Sequence, residues 1–424
     1  MATSPRHVSI APLLKKLSAP APQDNYVGAE DIALAFSRSF EDRLNGTQLA
    51  ALLTLLHSTG KDRHPDVIAK CAEAMRDAAV HVDKQKLKKV VGKRKRGLGE
   101  YRGGLCDIAG TGGDAHSTFN ISTTASIIAS PILLMAKHGN RAQTSMSGSA
   151  DVLNAISPRP PKIEALTAEH LPEVYEHTNY TFLLAPNFHP GMRYAATVRR
   201  ELGLRTIFNL MGPLANPVDS HIETRLYGVA YQELGPIYAQ ALLLSGATKA
   251  LVVCGQEDLD EISCAGKTNC WLLRESVNPK YQDRGGPDDE DDEGTSDDEA
   301  PAPYVAQVEK FVIEPADFGL PRHPLSEVGG GKLPRQNAEV LMSILRNERS
   351  PDDPVLHFVL MNVAALLVVS GACEADSCES GEVIKERGPA GGRWKEGVRK
   401  ARWCIESGKA LDEFQKFIDF TNRL

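Results

Sequence analysis

The chain has 424 residues, 42% of them hydrophobic, which is enough for a large buried core and favours two domains over one. Its net charge of -7 argues against nucleic acid as the main partner, because holding a polyanion requires a broad basic surface. Eight cysteines are too sparse for a disulfide scaffold, and neither Cys264 with Cys270 nor Cys373 with Cys378 has the spacing or the neighbouring histidines of a zinc site.

The N-terminal segment MATSPRHVSIAPLLKKL carries no continuous apolar core of the secretory kind. The longest apolar runs, such as Val355 to Val369, are too short and too mixed to span a bilayer. The expectation is a soluble, cytoplasmic protein with reduced thiols and no membrane partner. Residues 10–85 predict helices, because apolar residues recur at three- and four-residue spacing in IAPLLKKL, DIALAFSRSF and LAALLTLLHSTG. Asn45-Gly46-Thr47 is a plausible start for the third. The basic run KQKLKKVVGKRKRG near residues 84–96 is expected to be a solvated surface insert; a nuclear-import or nucleic-acid patch is the sharper alternative.

Beyond Tyr101 the texture changes. GLCDIAG, TFLLAP, RTIFNLM, RLYGVA and KALVVCG read as short strands. They alternate with helical patterns in TTASIIASPILLMA, MRYAATVRREL and ELGPIYAQALLLSG, which implies a mainly parallel sheet wrapped by helices. The predicted architecture is α/β: a small helical domain over 1–100 and a larger α/β domain over 101–424, with a cleft between them. The segment 160–195 is a candidate to pack with the helical domain. Residues 278–303 hold nine acids between Asp288 and Glu299 and almost no apolar side chains, so a disordered acidic insert is expected there. No EF-hand spacing supports calcium in it. Ser377 to Trp394 is a second expected flexible patch.

Four stretches carry chemistry. DIAGTGGDAHSTFNIST (107–123) reads as a strand, a glycine-rich turn and a helix start. Gly110, Gly112 and Gly113 allow positive φ and a close backbone approach, and their amides can form an anion nest. A helix opening near Asn120 or Ser122 adds orphan amides suited to phosphate, and Thr118, Ser122 and Thr123 add hydroxyls. Walker A is excluded because Asp114 stands where its lysine would be, and the dinucleotide fingerprint fails at Ala115. KHGNRAQTSMSGSADVL (137–153) again joins cations to small hydroxyl residues: Lys137 and Arg141 can neutralise phosphate, with Asn140, Ser145, Ser147 and Ser149 beside them. GQEDLDEIS (255–263) follows the apolar run ATKALVVCG, so Asp258, Asp260 and Glu261 lie at the strand edge where α/β sheets hold ligands and could take magnesium. In NFHPGMRYAATVRRELGLRTIFNLMGPLANP (187–217), Arg193, Arg199 and Arg200 sit on different helix faces, so one or two at most can address a substrate carboxylate. For each stretch the plain alternative is a structural turn or a solvated loop.

Taken in order, GTGGD, NIST, KHGNR, SGSAD, HPGMR, RTIFNLMGPLANP and LDEIS resemble anthranilate phosphoribosyltransferase, from about residue 28 to the C-terminus. The resemblance implies a nucleoside phosphorylase-like phosphoribosyltransferase fold, usually a homodimer. It also implies a glycosyltransferase of tryptophan biosynthesis that moves phosphoribose from phosphoribosyl pyrophosphate to the amine of anthranilate with Mg2+. By the same resemblance Gly110, Gly113, Asp114 and Thr118 line the phosphoribosyl pyrophosphate site. Asn120, Ser122 and Thr123 hold the pyrophosphate. Lys137 contacts phosphate, and the loop His138, Gly139, Asn140, Arg141 to Ser145, with Ser149, closes around the sugar phosphate. Ser122, Asp260 and Glu261 serve magnesium. Gly110, Asn140 and Arg199 address anthranilate, and His189 and Pro213 line its access path. The sequence departs from the family where Asp258 replaces the glycine usual before LDEIS, and where Thr144 replaces a common serine. No protein nucleophile is expected. The rivals are a pyrimidine nucleoside phosphorylase and a catalytically silent relative.

Overall fold

The computed structural model describes residues 7–19, 27–94, 96–116, 118–142, 147–277, 304–329, 333–377, 379 and 381–424. The first part is helical: α1 (Ala11–Ser18), α2 (Ala29–Phe40), α3 (Gly46–Ser58), α4 (Pro65–Asp77) and α5 (Lys84–Lys93). Asn45 caps α3 by accepting the Gln48 amide at 2.8 Å, and Pro65 opens α4, where its missing N–H costs nothing. Helix α5 is the basic run. Leu87 and Val90 are buried beneath it while Lys84, Lys86, Lys88 and Lys89 are exposed, so this stretch is an amphipathic helix with its basic face to solvent.

The second part continues with β1 (Leu105–Gly110), α6 (Ile121–Ala129), β2 (Leu134–Gly139), α7 (Ser149–Asn154), α8 (Leu171–His177), β3 (Tyr180–Leu184), α9 (Ala185–Phe188), α10 (Met192–Leu202), α11 (Ile207–Leu214), β4 (Ile222–Gly228), α12 (Leu234–Leu244) and β5 (Ala250–Gly255). After them come β6 (Thr268–Val277), β7 (Tyr304–Ile313), α13 (Pro334–Leu345), α14 (Pro354–Ser370), α15 (Trp394–Glu406) and α16 (Lys409–Thr421). The strands form one sheet in the order β3-β2-β1-β4-β5-β6-β7. β1 to β5 run parallel, and β6 and β7 are antiparallel.

Alternating side chains of the strands feed two cores. Leu226, Leu251 and Val253 face α6, α14 and the C-terminal helices. Tyr227, Val252 and Cys254 face the other way, into a core shared by α10, α11, α12 and the N-terminal helices. Of the segment 160–195, Ile163 to Phe188 lie in the first core, together with Val82, Leu87 and Val90. From the second part of the chain, α10, α11 and α12 pack on α2, α3 and α4.

Two expected elements change type. RTIFNLM is helix α11, and the Asn209 side chain accepts the Thr206 amide at 3.2 Å at its start. TTASIIASPILLMA divides near Pro131 into α6 and β2. The acidic insert 278–303 lies outside the described residues; it joins β6 to β7, whose ends pair at Val277 and Tyr304. Among the described residues no helix is long and apolar enough to cross a membrane.

Candidate active site

The strand order turns at β1 and β4: the chain leaves β1 toward β2 and β3, then returns to β4 and β5. In open α/β sheets a ligand crevice lies at such a switch point, beyond the carboxyl ends of the strands. Here those ends are bare. Gly110 closes β1 and pairs with Gly228 at the end of β4, and β2 and β5 end in Gly139 and Gly255. The acidic loop after β5 is seated on the gap. A Cβ at Gly110 would collide with the Asp260 carboxylate, and one at Gly228 with the Asp260 carbonyl. Gly112 and Gly113 have φ of +63° and +79°, the left-handed region where a side chain is strained. The Gly112 amide donates to Asp260 Oδ2 at 2.7 Å, and the Asp260 amide donates to Asp114 Oδ2 at 3.4 Å. Within the acidic loop, Gly255 N–H donates to Leu259 at 2.8 Å, and Asp258, at the usual family glycine, takes φ +59°. The His116 ring donates through Nε2 to the Glu257 carbonyl at 2.8 Å, a second tie between the two loops.

Charges are concentrated in this small volume. Burial pushes the Asp260 carboxyl above the usual carboxylate range; Asp114 beside it adds to the rise, while the Gly112 amide and Arg205 oppose it. Burial, then Asp260 and Asp114, hold Glu261 well above the usual carboxylate range. Glu261 Oε2 is buried without a partner. Lys137, at the end of β2, is 3% exposed. Burial lowers its pKa, while Asp107, Glu261 and Asp260 pull the other way. An orphaned carboxylate oxygen among crowded acids fits a hard divalent cation. Among the described residues no three or more His, Cys, Asp or Glu side chains close as a ligand set, so such an ion would draw its remaining oxygens from phosphate and water, as magnesium does.

Beneath Lys137 lies Asp107, fully buried. Its Oδ1 accepts the amides of Ile108 at 2.9 Å and His138 at 3.3 Å, and its Oδ2 accepts Asn216 Nδ2 at 3.0 Å and the Tyr227 hydroxyl at 3.2 Å. Four donors hold one carboxylate across β1, β2, β4 and the loop after α11.

The second loop joins the first through Asn120, whose Nδ2 donates to the Ser147 carbonyl at 3.1 Å and whose Oδ1 accepts Asn337 Nδ2 at 3.0 Å. Ser122 is half-buried, its backbone facing Glu261. Thr118 pairs with Gly329, and Thr123 is buried. A Cβ at Gly139 would stand 2.6 Å from Ser149 Oγ, which donates to the Asn140 carbonyl at 3.1 Å. Arg141 is held away from this cluster by an exposed ion pair with Glu164 at 2.7 Å. Ser145 and Thr144 lie outside the described residues.

The rings of His138 and His189 lie against each other at a tilt of 60°, with centroids 5.3 Å apart. Burial holds both neutral: His138 lies well below the usual range and His189 falls to about 4. His189 Nε2 donates to the Ala215 carbonyl at 2.8 Å, and Pro213 is buried within α11. Of the three arginines on α10, Arg193 and Arg200 are exposed, while half-buried Arg199 lies 4.9 Å from the Phe208 ring centroid. No hydrogen bond or ion pair joins Arg199 to the phosphate-side loops among the described residues. Sequence reasoning missed Asp107, His116, Arg205, Asn216 and Tyr227. A buried carboxylate next to a glycine turn was the available signal for Asp107; the others emerge only from contacts distant in the chain.

The glycosyl transferase family helical bundle domain matches residues 12–79, and the glycosyl transferase family a/b domain matches 102–283 and 300–411. Anthranilate phosphoribosyltransferase of Schizosaccharomyces pombe is 34% identical, over 95% of this chain and 94% of that one. The Saccharomyces cerevisiae protein of the same name is 32% identical, over 97% of each. Its solved structure in complex with PRPP and Mg has a TM-score of 0.75 and 30% identity, covering 98% of this chain and 99% of that one. The same yeast protein with 4-fluoroanthranilate has a TM-score of 0.72 and 28% identity, covering 97% of each. With a family domain spanning most of its length and relatives aligned almost end to end, the chain belongs to the anthranilate phosphoribosyltransferase family.

Proposed function

We infer that this chain transfers the phosphoribosyl group of phosphoribosyl pyrophosphate to the amine of anthranilate, with Mg2+, giving N-(5-phosphoribosyl)anthranilate and pyrophosphate in tryptophan biosynthesis. One observation carries the reading beyond family membership: the left-handed glycine turn, the crowded acids Asp114, Asp260 and Glu261, and buried Lys137 meet at the β1/β4 switch point.

In the reaction the anomeric C–O bond breaks toward pyrophosphate, the anthranilate nitrogen forms the new C–N bond, and that nitrogen then loses a proton. The aromatic amine is neutral, so no nucleophile on the chain is required, and catalysis rests on positioning and on stabilising the departing charge. Lys137 and the amides of Gly112 and Gly113 face the leaving group in this reading. Asp107 favours the charged form of the lysine, and His189 and Pro213 line the acceptor side. Arg199 meets the anthranilate carboxylate, with Asn140 and Gly110 near the amine. Asp260 and Glu261, with Ser122, would hold magnesium, which supplies charge neutralisation to the pyrophosphate when bound. Thr118, Asn120, Thr123, His138, Gly139, Arg141, Ser145 and Ser149 complete the phosphoribosyl side. A two-domain division near residue 100, a homodimer and a cytoplasmic location belong to the same reading.

The test follows anthranilate fluorescence with the purified full chain. It should fall when phosphoribosyl pyrophosphate and Mg2+ are both present and hold steady when either is omitted. A steady signal with all components, or phosphate-dependent cleavage of a pyrimidine nucleoside instead, overturns the assignment.

A further inference from the structure

Between α10 and α11 the chain passes through Gly203-Leu204-Arg205-Thr206. Gly203 ends α10 in the left-handed region at φ +61°, and the Thr206 amide donates to Asn209 Oδ1 at 3.2 Å as α11 begins. Both helices bury their apolar faces with the N-terminal helices, through Ala195, Ile207, Phe208 and Met211. The backbone of Arg205 is therefore fixed by the helical side of the molecule. Its side chain crosses to the other side. A Cβ added at Gly113 would coincide with Arg205 Nη1 and crowd Cζ and Nη2, so the guanidinium lies directly on the glycine turn that follows β1. Its charge reaches Asp260. Yet among the described residues no hydrogen bond takes up its N–H groups and no carboxylate stands within ion-pair distance.

A half-buried guanidinium without a partner is costly, since desolvation is offset only by a well-placed counter-charge. Its five N–H donors form a flat fork that matches two oxygens of one phosphate group. Beside it lies a nest of backbone amides, and beside that an acid pair suited to a divalent cation. We propose that Arg205 is a catalytic residue that takes two non-bridging oxygens of the pyrophosphoryl end of the sugar substrate and stabilises the charge gained there as the C–O bond breaks. This rests on the phosphoribosyl-transfer reading of the site. It also gives α10 and the loop after it two tasks: Arg199 serves the aromatic acid, and Arg205 serves the leaving group. A Cβ at position 113 would take the seat of the guanidinium, in addition to the strain of a side chain at φ +79°.

The experiment compares the wild-type full chain with R205A, R205Q and R205K. It measures inhibition by magnesium pyrophosphate, the KM for each substrate at saturating levels of the other, kcat, and the thermal midpoint. In R205A and R205Q the inhibition constant for pyrophosphate and the KM for phosphoribosyl pyrophosphate should rise about 10-fold or more, and kcat should fall about 100-fold, the scale seen when one donor to a developing charge is removed. The KM for anthranilate should change less than about 2-fold. R205K should recover part of the loss, because it keeps the charge but not the fork. Unchanged pyrophosphate inhibition in R205A or R205Q overturns the proposal whatever the thermal midpoint, and a lowered midpoint beside it leaves Arg205 with a structural role only. Failure of the wild-type protein to consume anthranilate is a different result: it removes the phosphoribosyl-transfer reading and this proposal together.

Discussion

The backbone amide of Gly112 donates to the carboxylate of Asp260 at 2.7 Å, joining positions 148 residues apart. The turn that could cradle an anion and the loop that could hold a cation are therefore one unit, latched a second time by His116 on Glu257. In the proposed reading, a phosphorylated ligand that claims the Gly112 amide would displace Asp260 from it and free that carboxylate for a metal, so binding of the anion and of the cation should be coupled.

The acid pair should act on the leaving group and not on the acceptor. Replacing Asp260 and Glu261 together by alanine should lower kcat at least about 100-fold while the dissociation constant for anthranilate, read by fluorescence titration, stays near its wild-type value. Equal, small effects on both quantities would count against a leaving-group role.

Glu261 alone offers a test that needs no turnover. Its Oε2 is buried and unpartnered, and an unsatisfied buried polar group costs about 1–3 kcal/mol. Glu261→Gln should raise the thermal midpoint of the metal-free protein. Added Mg2+ with pyrophosphate should stabilise the wild type more than the variant. A variant that is less stable without metal and gains as much from it would show that Glu261 does not meet the ion.

Seating of the acidic loop depends on Gly228, where a Cβ would enter the space of the Asp260 carbonyl. Since the obstacle is backbone, the loop must move. Gly228→Ala should raise the Mg2+ concentration for half-maximal activity by an order of magnitude or so, a displacement cost of about 1.4 kcal/mol. An unaltered magnesium dependence would mean that the loop position does not matter to the ion.

Arg199→Ala should chiefly raise the KM for anthranilate, about 10-fold or more for loss of a charge-assisted bidentate contact. An unchanged constant would refute the assignment of the carboxylate to this arginine.

The histidine pair predicts a pH dependence of stability. His189 has a folded pKa of about 4 against an ordinary 6.5. Between these values the unfolded chain binds the extra proton, so the stability contributed by the neutral ring is fully present above about 6.5 and is lost as pH falls toward 4. The slope from one such group approaches about 1.4 kcal/mol per pH unit. His189→Asn should flatten the decline measured by urea unfolding from neutral to acid pH; parallel curves would contradict it.

Much of this was legible in the residues because the site uses unusual ones. Glycines at strand ends, acids after a core strand and a lysine before a small-residue loop stand out without any structure. The short apolar runs were harder. RTIFNLM has no periodicity that separates strand from helix; the helix start is marked only by the Thr206 amide bonded to the Asn209 side chain. The β6–β7 hairpin was missed because a long acidic insert stands where a turn signal would be expected. Asp107 and Asn216 are 109 residues apart, bound at 3.0 Å, and neither has a local pattern announcing the other. Arg205 begins the run RTIFNLM, which reads as a strand, and nothing local marks it; only the structure places its guanidinium over the bare α-carbon of Gly113.

The most direct measurement is product analysis with the purified chain, anthranilate, phosphoribosyl pyrophosphate and Mg2+. N-(5-phosphoribosyl)anthranilate and pyrophosphate should appear in equal amounts, and neither should form without the metal. Persistence of anthranilate, or release of orthophosphate in place of pyrophosphate, would contradict the account.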